Sequence, residues 1–137
     1  MIRAIGSLPD VRLGVLTQEP VERADAPTRA AMAAHWRVDD VCDPGQLRWG
    51  IDGLARQLGA EPDRLFGAFE QLQVPLAEER ERRGIPGLPA EAARNFRDKA
   101  RMKDVLRAAG LPCARHALAE SVEAAHAFAA SVGFPLV

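Results

Sequence analysis

The run Val11 to Thr17 sets Val, Leu, Val and Leu between two pairs of breakers, Pro9-Asp10 and Glu19-Pro20. A bounded apolar run of that length reads as a strand buried in a sheet, so the chain must supply helices or further strands to cover it. Ahead of it, Ile2 to Leu8 reads as the last turns of a helix leading into a turn. That is an odd opening for an α/β domain, because the helix has no strand before it. The expectation is a domain whose first strand is missing.

Thr28 to His35 is alanine-rich and predicts a short helix, followed by a weaker extended segment from Trp36 to Val41. Asp43 then stands where a helix N-cap belongs, with Pro44 at the first helical position. Leu47, Ile51, Leu54, Ala55 and Leu58 recur at helical spacing until Gly59. Arg64 to Phe69 predicts a second strand, and Gln71 to Arg83 a helix whose tail alternates Glu and Arg before Gly84 stops it. Strands alternating with helices imply a parallel sheet flanked by helices, an α/β fold.

Gly84-Ile85-Pro86-Gly87-Leu88-Pro89 interrupts this regularity and marks a boundary between two units, 1–83 and 90–137, with 84–89 as linker. Beyond it, Glu91 to Ala109 predicts one long helix or two abutting ones, closed by Gly110 and Pro112. Cys113 to Leu118 follows as a short strand, and Ser121 caps a helix running to Val132. After Gly133 and Phe134-Pro135, Leu136-Val137 reads as the start of another buried strand. A sheet left open at both ends predicts association between copies of the chain, as in a homo-oligomer or an aggregate.

Charge excludes several functions. Eighteen basic and 19 acidic residues leave a net charge of -1, so no global field draws the protein to nucleic acid or to an anionic bilayer. No apolar run approaches the roughly 20 residues that span a bilayer, and the start of the chain is too short and too weakly apolar for a secretory signal. Cys42 and Cys113 stand far apart, outside any disulfide or zinc spacing. A cytoplasmic protein fits these features. Cys113 and His116 are three apart on the expected strand and would face opposite sides, which removes a Cys/His or metal reading. His35 and His126 read as helix-surface residues.

Chemistry concentrates in one helix. From Arg94 to Arg107 there are six basic residues against two acidic ones, a local net of +4. The apolar seam there is Met102, Val105, Leu106 and Ala109, and Lys99 lies three residues before Met102 and seven before Leu106, on the same side. Arg101 and Asp104 point away from that seam. A lysine so placed either snorkels to water or aims its ammonium into a cleft where an anion waits. Spacing alone favours the first, a solvated basic helix.

Asn95-Phe96-Arg97-Asp98-Lys99, Met102-Lys103, Leu106, Ala109-Gly110-Leu111-Pro112 and Gly133-Phe134-Pro135-Leu136-Val137 together resemble the pattern of ATP-grasp enzymes of the biotin carboxylase and carboxylate-amine ligase kind. The likeness is close from Glu91 to Val137 and looser before it; the order and spacing carry it, since Asp-Lys or Gly-x-Pro alone would carry nothing. It implies a truncated Rossmann-like pre-ATP-grasp domain followed by the first helix-strand-helix of an ATP-grasp domain, ending one step before the family's second lysine. Lys99 would then contact the phosphates of ATP. Glu70, in Phe69-Glu70-Gln71-Leu72, resembles a strand-end glutamate that positions substrate or keeps two domains in register, the structural role being slightly favoured.

The resemblance also implies ATP and Mg²⁺ as cofactors and a small carboxylate substrate, activated as an acylphosphate and joined to an amine. The family's glycine-rich loop, adenine strand and metal ligands would lie beyond Val137. This chain alone is expected to carry no catalytic residue and no metal ligand. The rival expectation is a non-catalytic interaction or nucleic-acid-binding module using the helix 94–107. It is weaker, because acidic residues interrupt the stripe and few aromatic residues are at hand to stack on bases.

Overall fold

A computed structural model describes residues 1–136, and the chain divides into two compact units, Met1–Ala90 and Glu91–Val137. The architecture is mixed α/β, mostly helical, with a small two-stranded parallel sheet. The first unit runs α1 (Ile2–Gly6), β1 (Gly14–Thr17), a 3-10 turn at Val21–Arg23, α2 (Ala26–Ala30), β2 (Ala34–Arg37), α3 (Pro44–Leu58), a second 3-10 turn at Glu70–Leu72 and α4 (Gln73–Arg83). In the second unit α5 (Ala90–Arg97), which begins on the last residue of the first, is followed by α6 (Lys99–Ala108) and α7 (Val122–Val132).

The helix expected after Asp43 forms as the residues dictate. The Asp43 carboxylate accepts from the Gln46 amide at 2.7 Å, Pro44 occupies the first turn, and Gly59 ends α3 in the left-handed region at φ 66°. Leu47, Ile51, Leu54 and Ala55 turn inward. α3 packs on both strands, and glycine makes this possible. A Cβ added at Gly53 would lie 2.5 Å from Trp36 Cδ2, and one at Gly50 would strike Leu16. Val38, Val41, Leu47, Ile51, Leu72 and Leu76 form the core, with Leu16, Trp36 and Leu65 packed against it.

A buried carboxylate joins α4 to α3. Glu79, its side chain 4% exposed, accepts from Arg48 of α3 at 2.9 Å and from Arg82 at 2.7 Å, while Arg83 Nε lies 3.4 Å away. Arg83 also pairs with Asp52 of α3 and, at 3.0 Å, with Glu61. The Glu-Arg tail of α4 therefore pairs both within the helix and across to α3 and Glu61. Burial pulls the Glu79 carboxyl upward, but the guanidinium hydrogen bonds of Arg82 and Arg48 outweigh it and hold it below its ordinary value of 4.5.

Several expectations are corrected. The alanine-rich segment makes only the short α2, capped by Asp25, and Ala34–Arg37 is a strand, so β2 starts earlier than Trp36. Gly14 pairs with Ala34 and Thr17 with Arg37, so tertiary pairing with β1 overrides helix propensity. Arg64 to Phe69 is not a strand. No strand pairs with it among the described residues, and side chains tie it down instead: Arg80 donates to the Leu65 carbonyl at 2.9 Å and Gln73 to the Gly67 carbonyl at 3.3 Å.

In the second unit the basic segment is two helices, because Asp98 leaves the helical region (ψ 110°) and caps α6. Cys113 to Leu118 is irregular, again with no strand beside it among the described residues. Ser121 does cap α7, accepting from Ala124 N at 3.1 Å. Leu136 is outside any strand, and Val137 lies outside the described residues. α6 and α7 bury no residue fully, and Phe96, Leu118 and Val122 are exposed. Among the described residues no helix is long and apolar enough to cross a membrane.

Two measurements check this packing. Gly53→Ala should gain about 1 kcal/mol of helix propensity yet lower stability by about 1–2 kcal/mol net, because the indole ring cannot yield. Gly50→Ala should cost less, since the Leu16 methyl can rotate away; chemical denaturation compares them. Glu79→Gln should cost about 1–3 kcal/mol at pH 7. The carboxyl is depressed on folding, so its stabilisation is present above pH 4.5 and is lost as pH falls through the lower folded value. The difference between variant and wild type should therefore shrink on acidification, as read by denaturation at a series of pH values.

Candidate functional site

Lys99 is the first residue of α6, and the Asp-Lys pair opens a helix. Asp98 Oδ1 accepts from the amides of Ala100 at 2.9 Å and Arg101 at 3.0 Å. The helix N-terminus thus spends its outward amides on its own cap. What the start of α6 still offers an anion is the Lys99 ammonium, which is exposed. Lys99 shares a helical side with the half-buried Met102 and Leu106 but stands a turn beyond them, and at that end nothing in its own helix covers it. The seam is narrower than the spacing predicts, since Val105 and Ala109 are exposed.

The arginines of the stretch are engaged. Arg101 bonds Asn95 Oδ1 and lies 3.6 Å from Glu91, Arg107 pairs with Asp104 at 3.2 Å, and Arg94 and Arg97 also have partners. A basic face for nucleic acid is correspondingly broken up. Cys113 and His116 do not converge: Cys113 Sγ donates to the Lys103 carbonyl at 3.6 Å, while His116 sits between Arg107, at 3.2 Å, and Asp104, at 3.4 Å. Both pack along α6 in place of the expected strand.

Glu70 is not at the end of a strand. It opens the 3-10 turn that leads into α4, exposed and with a partner of its own. Glu70 belongs to the first unit and Lys99 to the second. Among the described residues no group of three His, Cys, Asp or Glu is arranged to hold a metal ion.

A pair that sequence reasoning missed lies at the carboxyl end of β1, the end where open parallel sheets receive ligands. The Thr17 hydroxyl donates to the Glu19 carbonyl at 2.7 Å and stands 2.7 Å from His35 Nε2. A carbonyl cannot donate, so the hydroxyl proton goes to Glu19 and Nε2 must carry the proton of the second bond. His35 is therefore a half-buried strand residue, not one on a helix surface. The pair borders a shallow, open hollow of about 450 Å³ lined by Ile2, Thr17, Pro20, Val21, Met32 and His35. No signal in the sequence marks this pair, because it depends on the register of β1 against β2.

Beside it, the chain occupies much of its own sheet end. Gln18 donates to the Asp39 carbonyl, Arg37 to the Gln18 carbonyl, and Gln46 Oε1 accepts the amides of Asp39 and Asp40. Comparison with protein-family models, with curated proteins and with solved structures returns no match for this chain. The Asp98 cap is directly testable: Asp98→Ala should fray the first turn of α6 at a cost of about 1 kcal/mol, read as faster hydrogen exchange at Ala100 and Arg101 with α7 unaffected.

Proposed function

We propose that this chain is part of an ATP- and Mg²⁺-dependent ligase of the ATP-grasp kind, to which it contributes the Lys99 ammonium as one contact to the triphosphate. The observation that carries the reading is the start of α6. There Asp98 is consumed as cap and the cation next to it is left exposed, while the surrounding arginines are paired. A compact ammonium at a helix start suits a phosphate oxygen, being a strongly hydrated point charge with three donors. The parallel strand pair with α3 against it is in keeping with a Rossmann-like neighbour.

Glu70 has a smaller part in this reading, keeping the two domains in register or positioning a small carboxylate substrate. Mg²⁺ ligands and reacting groups would come from residues other than those described, so this chain by itself performs no chemical step. Calorimetric titration of MgATP into the gene product containing this chain tests the proposal. Binding is expected, with Lys99→Ala weakening it about tenfold or more, the scale of one charge-assisted contact. Unchanged affinity in the variant, or no affinity in the gene product, rejects it.

A further inference from the structure

The segment 84–89 has the composition of a flexible joint, yet α4 holds it at several points. Gly84 ends α4 in the left-handed region at φ 67°, where the Ile85 amide donates to the Arg80 carbonyl at 2.9 Å. The Arg80 side chain, nine-tenths buried, reaches two stretches of chain at once: one terminal nitrogen donates to the Leu65 carbonyl at 2.9 Å and the other to the Leu88 carbonyl at 3.3 Å. The next residue, Glu81, accepts the Ala90 amide on Oε1 at 2.8 Å. Gly87 lies so close to Arg80 that an added Cβ would stand 2.6 Å from its Cδ and Nε, so the backbone rests on the guanidinium stem. Ala90 itself is buried.

From these contacts we infer that 84–90 is an immobilised strap, clamped by Arg80 and Glu81, and that hinge motion does not reside in the Pro/Gly segment where composition would put it. The inference is independent of the ligase reading. Two prolines reduce the conformations the strap must give up on ordering, and two consecutive side chains of α4 supply its fixed points. The planar fork of an arginine suits this task, because it presents two terminal nitrogens in a fixed geometry, one to each carbonyl, whereas a lysine would have to serve both from a single nitrogen. Ala90, the first residue of α5, thereby starts from an anchored position.

Hydrogen exchange of the wild-type chain, Arg80→Lys and Glu81→Ala, followed at residues 85–90 and at residues 47–55 of α3, tests this. In the wild type the Ile85 and Ala90 amides should exchange at least about tenfold more slowly than unstructured chain. Arg80→Lys keeps stem and charge but loses the fork, and should raise exchange at both positions about tenfold while α3 changes little. Glu81→Ala should speed Ala90 alone, and this decides the matter if Arg80→Lys loosens α3 as well. Exchange at unstructured rates in the wild type, or an Ala90 amide unaffected by Glu81→Ala, overturns the inference.

Discussion

At Gly50 and Gly53 the backbone of α3 comes so close to Leu16 and Trp36 that neither position has room for a side chain. Two short strands cannot stand alone in water, and they persist because a long helix lies directly on one of their faces. The contact aligns Leu47, Ile51 and Leu54 with Val38 and Val41, and so brings α4 in through Leu72 and Leu76. The remaining organisation of the first unit follows from that close approach.

α4 serves the same core through Leu76 and Ala77 and, on the same buried face, organises charge through Glu79, Arg80 and Arg83. Glu79 gathers Arg48, Arg82 and Arg83 around one buried carboxylate, while the two terminal nitrogens of Arg80 next to it donate to backbone carbonyls and its Nε has no partner among the described residues. Burying Glu79 among several guanidinium donors offsets its desolvation, which a single exposed pair would not do. The second unit has no comparable centre. Phe96, Leu118 and Val122 are exposed there, and its local order rests on caps, those of Asp98 and Ser121.

The features legible in the sequence were those with local causes. Asp43 and Ser121 act as caps, and Gly59 and Gly84 stop helices, because a side-chain oxygen within three residues of an amide, or a missing Cβ at positive φ, acts within one turn. Strands were less legible. Val11 to Thr17 forms β1 over its last residues, but Arg64 to Phe69 and Cys113 to Leu118 have strand-like composition and no strand beside them among the described residues. Spacing alone favours a solvated Lys99, and its side chain is exposed, whereas the break at Asp98 is a finding of the structure.

The sequence by itself determined that helices begin at the caps Asp43 and Ser121 and end at Gly59 and Gly84, and that a short strand follows Pro9-Asp10. Tertiary structure alone decided that Ala34–Arg37 joins β1, that His35 meets Thr17, that Glu79 collects arginines from two helices, and that Arg80 ties a proline-glycine segment to its neighbours. The physical reason is range. Capping and backbone preference act over a few residues of chain, whereas strand pairing and buried charge depend on groups up to 31 residues apart, whose meeting is set by how α3 packs on the sheet and on α4.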